Sequence, residues 1–381
     1  MHPMVKPALR RAWRNLQYVQ FGAAPAHAVV VGPVDTTTGS LLSLFDGTRG
    51  LALLREEARA LGLPDGRLEA LLDRLAEAGL LDDATAGGPV ADASCREDDA
   101  ADRPRADLAS LSVVHREPGA AARRLSARRG MRVQVRGAGR VGAAIAALLS
   151  ASGVGRVEVL DGGRVEPWDV APGGLPAEAV GRRRDASARR LVGLSAPGGR
   201  VPRAAPGGRE AGSEPGLSLV VVAPRDGLAA YAPDPVPADD WVATGTPHLY
   251  AGVIEATGVV GPLVLPGGTA CAGCVERERT DRDPVWPRML AQWRSGRQHK
   301  VPACDQGLAA AVAGLAAAHA LSFLDGDLPA STGARWEASL PTLEWRSERL
   351  PAHAECPCGA ARSAEWMRPS GPAREQDTMA G

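Results

Sequence analysis

Residues 132–161, RVQVRGAGRVGAAIAALLSASGVGRVEVLD, constrain this chain more than any other stretch: they read as strand, glycine turn, helix, second strand and closing acid. Arg132 to Val135 supply a short β-branched run, and Gly137, Gly139 and Gly142 follow at G-x-G-x-x-G spacing. At that spacing the first glycine permits the tight turn and the second lets a phosphate approach the backbone. The third allows the helix to pack close to the strand. AAIAALLS then forms a helix whose free N-terminal N–H groups face the turn and favour an anion. Asp161 closes the second strand about 22 residues after Gly139, where a carboxylate meets a ribose hydroxyl. A nucleotide suits this unit; in a sheet that keeps no ligand, the same glycines serve packing alone.

With 45 glycines in the chain, the spacing alone carries little weight, and the flanking strands, helix and acid are what identify a Rossmann-type unit. A length of 381 residues allows two domains, one of them large. Lys plus Arg and Asp plus Glu both total 44, so no excess charge argues for nucleic acid or a membrane surface. The N-terminus MHPMVKPALRRAWRNLQY lacks the apolar core of a signal peptide, and no later stretch is expected to approach eighteen uncharged apolar residues with the flanks of a span. The expectation is a cytoplasmic protein.

Before the glycine unit, HAVVVG at 27–32 predicts a strand, followed by a helix through Leu41, Leu42, Leu44 and Phe45 that stops at Asp46-Gly47. A second helix runs from Leu51 to Leu61. A third carries Leu68, Leu71, Leu72 and Leu75 at i, i+3, i+4 and i+7 and ends at Gly79. Three short helices with strand pieces make a small winged-helix-like domain over 1–83. Its third helix, GRLEALLDRLAEAG, is mixed in charge and lacks the basic face that a major groove requires, whereas a strand edge beside a helix suits an extended peptide. FGAAPAHAVVVGPVDTTTGSLLSLFDGTRG together with AEAGLLDD resembles the PqqD-like peptide-recognition domains of ribosomal peptide modification systems.

Residues 84–106, which include Cys95, hold almost no large apolar residue and read as a linker. Residues 107–130 read as a lead-in helix, and 107–362 as the nucleotide-binding domain. LSLVVVAPRDG at 217–227 predicts a strand with a polar loop at its carboxyl end, TGTPHLYAGVIEATGVVGPLVLP at 243–265 predicts antiparallel strands, and 307–326 predicts a buried helix. The fold class is therefore α/β: a doubly wound, mostly parallel sheet with an antiparallel extension. The tail over 363–381 is expected to be disordered.

Cys271-Ala-Gly-Cys274 and Cys356-Pro-Cys358 give two close pairs separated by 81 intervening residues, and four thiolates suit a closed tetrahedral zinc. Such a site would contribute on the order of 10 kcal/mol to that region by analogy with small zinc domains. Redox thiols or unlinked core cysteines are the alternatives, and His353 is a spare ligand. Cys304, in KVPACDQG before a helix, reads either as a nucleophile with a lowered pKa or as a small apolar residue at a turn.

In order along the chain, the glycine unit, VVVAPRDG, C-A-G-C, the alanine-rich helix ending in LDG and C-P-C resemble the ThiF and MoeB family over roughly residues 130–362. That family is the bacterial branch of the ubiquitin-activating-enzyme superfamily. The resemblance implies a homodimer that binds ATP and magnesium, adenylates the carboxyl terminus of a partner protein and carries tetra-cysteine zinc. Gly137, Gly139 and Gly142 match the nucleotide turn, Asp161 the ribose acid, Asp226 the magnesium acid, and Cys304 a cysteine that links to carrier protein in some members. Asp169 stands at the catalytic Asn, Pro172 at the catalytic Arg, and Arg184 at the phosphate-binding Lys. Adenylation needs cationic and amide donors where pyrophosphate departs, so these replacements imply weakened or lost chemistry. With the N-terminal resemblance, the chain looks like the leader-peptide-binding partners of azoline-forming systems, which present a precursor peptide to a separate modification enzyme. An active adenylyltransferase and another nucleotide- or NAD-binding protein are the alternative readings.

Overall fold

The computed structural model describes residues 1–86, 104–198, 216–295 and 301–362. Of the linker expected over 84–106, residues 87–103, Cys95 among them, lie outside the described residues, as does the whole tail over 363–381. The chain divides into two compact units. One comprises Met1–Gly130, Ser150–Gly155 and Leu194–Arg203; the other comprises Met131–Leu149, Arg156–Gly193 and Ala204–Gly381.

The first unit begins with β1 (Pro3–Val5), which pairs antiparallel with β5 (Leu81–Asp83). Between them β2 (Arg11–Trp13), β3 (Val19–Phe21) and β4 (Val29–Val31) form an antiparallel sheet in that order. Three helices follow: α1 (Thr36–Ser43), α2 (Leu51–Ala60) and α3 (Arg67–Glu77). Asp35 starts α1 by accepting the Thr38 N–H at 2.7 Å. The four leucines predicted to share one face of α3 are all buried, in a core with Val19, Phe21, Leu41 and Leu54. Lys6 is 1 % exposed and donates from Nζ to the His115 carbonyl at 2.9 Å; burial lowers its pKa, and Asp82 partly offsets this. The single lead-in helix expected over 107–130 is two helices, Arg105–Val114 and Ala120–Arg128. Pro118 and Gly119 separate them: Gly119 takes φ +75°, and its N–H donates to Asp82 Oδ1 at 2.7 Å.

The second unit is built on a seven-stranded sheet. Its parallel block comprises β6 (Arg132–Arg136), β7 (Arg156–Leu160), β8 (Leu219–Val222) and β9 (His248–Ile254). Antiparallel β10 (Thr257–Val264), β11 (Ala334–Ser339) and β12 (Arg346–Arg349) extend it, in the order β12-β11-β10-β9-β8-β6-β7. Glu255 and Ala256, at φ 48° and 60°, form the two-residue turn that joins β9 to β10; left-handed residues at both positions match the twist of a hairpin. The parallel block, the antiparallel hairpin and the buried helix are all as the sequence pattern predicts.

One expectation is corrected. The helix Gln306–Leu324 is 19 residues long with a mean hydropathy of 1.8, which meets the length and composition of a membrane span. It packs on β9 and β10 through Leu308, Val312, Ala316 and Ala320, with Asp305 capping its start at Leu308 N–H. A Cβ on Gly258 would lie 2.6 Å from Val312 Cγ2, so a glycine there lets the helix seat against the sheet. Its apolar composition is that of a core helix.

Candidate functional site

The strand order places β6 between β7 and β8, the point where a parallel sheet opens a crevice at its carboxyl edge. The pairings Arg136↔Leu160 and Arg136↔Val222 bring Gly137, Asp161 and the segment Ala223–Arg225 to that edge. Gly137 takes φ +111°, and a Cβ there would meet the Ala223 carbonyl oxygen at 1.9 Å; one on Gly142 would meet the Gly137 oxygen at 2.2 Å. Both glycines are therefore required by backbone packing. A Cβ on Gly139 would stand 3.2 Å from Arg225 Cγ, so the glycine expected to face phosphate faces an arginine side chain.

Asp161 accepts the Ala138 N–H at 2.7 Å and lies 3.6 Å from Arg184 Nη1. Burial raises its pKa; the Ala138 N–H, Arg184 and Arg225 pull it down, Asp169 pushes it up, and the net direction is upward. Arg184 also donates from Nε to the Arg164 carbonyl at 3.0 Å and reaches Asp169 Oδ2 at 3.8 Å. Asp169 is 1 % exposed. It closes a capping box with Glu166 around the short helical turn at Pro167 and accepts Arg225 Nε at 2.6 Å, while Arg225 Nη2 is held by Glu166. Asp169, which stands at the catalytic Asn of the resemblance, is thus covered by Arg225.

A shallow cleft with a volume of about 10 Å³ is lined by Gly139, Arg140, Trp168, Asp169, Arg225 and Cys304 among others. Arg140 Nη1 donates to the Cys304 carbonyl at 2.5 Å. Two buried donors of the cleft wall, Arg140 Nε and Trp168 Nε1, have no hydrogen-bond partner. The Cys304 thiol is half-buried in this wall. Burial raises its pKa and Arg140 only partly opposes that, so the lowering expected beside a helix N-terminus is not found. Asp226 stands apart: it is exposed, accepts the Leu228 N–H at 3.2 Å and does not line the cleft. Pro172 is exposed as well.

Cys271, Cys274, Cys356 and Cys358 converge, with all four sulfurs within 4.8 Å of one another. The contacts Cys271–Cys274, Cys271–Cys356 and Cys274–Cys358 measure 3.9, 3.6 and 3.5 Å. A tetrahedron with metal–sulfur bonds of about 2.3 Å has edges of about 3.8 Å, so the tetrad fits such an ion without rearrangement. Without one, burial and the neighbouring sulfurs push Cys358 up to about 11. Arg277 Nη1 approaches Cys356 Sγ at 3.9 Å and supplies a positive charge beside the sulfurs. His353 is committed elsewhere, with Nε2 on Asp281 at 2.9 Å and Nδ1 accepting the Glu355 N–H.

Sequence reasoning overlooked Arg140, Glu166, Trp168 and Arg225. Arg140 occupies a variable position inside the glycine motif, and Arg225 directly precedes the acid chosen there.

Comparison with solved structures finds Escherichia coli MccB with ATP at 15 % identity and a TM-score of 0.66, covering 94 % of this chain and 100 % of that one. MccB with AMPCPP and MccA matches at 16 % identity and a TM-score of 0.66 over the same shares. The heterocyclase TruD matches at 16 % and 0.59, covering 95 % of this chain and 43 % of TruD. At these identities the likeness is one of fold. No curated protein matches the chain in sequence. The ThiF family model matches residues 119–359, more than half the chain, and with the glycine turn, its acid and the cysteine tetrad in place, the chain belongs to the ThiF family.

Proposed function

We propose that this ThiF-family protein binds the leader of a precursor peptide and presents it to a separate peptide-modifying enzyme, with adenylation weakened or lost. The observation that carries the second half is the position of Asp226. The acid that would hold magnesium is bound to its own loop at Leu228 and does not face the cleft. Pro172 adds no donor where a cation is needed.

The peptide half rests on the first unit, read as a PqqD-like, winged-helix-like domain. Its β4 is an edge strand, with Val30 44 % exposed, and Arg74 of α3 donates to the Gly32 carbonyl at 3.0 Å at the strand's end. A strand edge beside a helix suits an added peptide strand. The likeness to MccB along its whole length supports this reading, because one of its structures is of a microcin C7 biosynthetic enzyme holding N-formylated MccA. Structural zinc in the tetrad, a homodimer and a cytoplasmic setting belong to the same proposal.

The test is calorimetric titration of the metal-loaded full chain with the precursor peptide encoded beside its gene, repeated with Val30→Asp. Binding in the natural chain, weakened at least tenfold in the variant, is expected, together with negligible pyrophosphate exchange. Absence of peptide binding would remove the reading.

A second reading is favoured by Arg140 Nε and Trp168 Nε1, two buried donors that a ligand could satisfy. It makes the chain an active adenylyltransferase using ATP and magnesium, with Arg184 and Cys304 in catalytic roles. Robust pyrophosphate exchange would establish it.

A further inference from the structure

Among the described residues, Arg225 and Arg184 beside the cleft are held by carboxylates, and Arg140 by a carbonyl. Arg225 lines the wall directly across from Gly139, the position where the backbone would otherwise meet a phosphate. Its fork is closed on two sides, by Asp169 Oδ1 at 2.6 Å on Nε and by Glu166 on Nη2, and its guanidinium carbon lies 5.9 Å from the Trp168 ring. Arg184 lies against Asp161 at 3.6 Å and Asp169 at 3.8 Å, and Arg140 donates to the Cys304 carbonyl. Among the described residues, Arg184 and Arg225 thus share three carboxylates, Asp161, Glu166 and Asp169, which more than balance their two charges.

We infer that Glu166 and Asp169 determine the specificity of this cleft: they are the internal anions of Arg225 and thereby exclude polyphosphates from the glycine turn. The physical reason is asymmetric. For a triphosphate to take Arg225, the arginine must release Asp169, which is 1 % exposed and would be left buried with the Glu166 N–H and, as its charged partner, only the longer contact to Arg184. Glu166 is 39 % exposed and holds only the outer side of the fork. The two acids also belong to one local device, since Glu166 N–H donates to Asp169 Oδ2 at 2.9 Å, so the carboxylates are positioned whether or not any ligand arrives.

This inference deepens the proposal that adenylation is weakened, and it is tested separately from peptide binding. The double variant Glu166→Gln with Asp169→Asn keeps the shape of both side chains and an oxygen to accept the Glu166-position N–H, while removing both charges. Isothermal titration with ATP and with inorganic triphosphate is expected to show binding at least tenfold tighter than in the natural chain, and adding Arg225→Gln is expected to abolish the gain. Equal affinities in natural chain and double variant, or a gain that survives Arg225→Gln, would overturn the inference. Should the double variant not fold by its thermal transition, Glu166→Gln alone serves, with a smaller gain expected and an unchanged affinity overturning the inference. Titrating the same samples with the precursor peptide separates the two readings: loss of peptide binding in the natural chain sinks the presenting role and leaves this inference standing.

Discussion

The cysteine tetrad and the glycine-turn cleft are both assembled from distant parts of the chain, yet they stand in opposite electrostatic conditions. In the tetrad four sulfurs crowd one another, and the nearby charge is a single arginine at 3.9 Å from Cys356. In the cleft each arginine has a carboxylate or carbonyl, down to the buried Asp169 beneath Arg225. A site built from like groups depends on something from outside, whereas one that contains its own counter-ions is finished as it folds.

The contrast breaks most easily at the tetrad. Cys271→Ser should lose bound zinc and with it a linked stability on the order of 10 kcal/mol in that region, read as metal content by atomic emission and a lowered thermal transition. Equal metal content in the variant would mean that the sulfurs are core cysteines. In the cleft, Arg225→Ala removes the nearer of the two arginines on buried Asp169 and should cost about 3 kcal/mol in urea unfolding, against about 1 kcal/mol or less for Glu166→Ala at the exposed side of the fork. Similar costs for the two would show that Asp169 finds another partner. Gly142→Ala drives a Cβ toward the Gly137 oxygen and should cost about 1–3 kcal/mol, with or without nucleotide present. A loss seen only in nucleotide binding would return that glycine to ligand recognition.

The smallest effect concerns Asp161. Its pKa in the folded chain is raised above the ordinary 3.8, so the fold favours the protonated form. The resulting stability is fully present below the unfolded value and is lost as pH rises through the folded value. Asp161→Asn, still able to accept the Ala138 N–H, should flatten the pH dependence of unfolding in that acidic window. An unchanged slope would show that Arg184 offsets the burial completely.

These sites differ in how far the sequence reveals them, for a physical reason. The glycine turn, its helix and Asp161 form one continuous segment, and the period of its apolar residues specifies strands and helix locally. The cysteines are legible although far apart, because thiol pairs at metal-ligand spacing have few other uses. The contacts of Arg225 with Asp169 and Glu166 span 56 and 59 residues, and in a chain with many arginines no local pattern separates this one from a solvated neighbour. The partnership of β1 with β5 is equally non-local, and Pro118-Gly119 was the overlooked punctuation that divides the lead-in helix.

The tetrad has one consequence in time. Its first ligands, Cys271 and Cys274, leave the ribosome more than 80 residues before Cys356 and Cys358, so the growing chain exposes half a binding site long before the other half exists. A chain cut short anywhere between them carries only two of the four thiols. An ion that needs all four sulfurs could be held only once synthesis has passed residue 358.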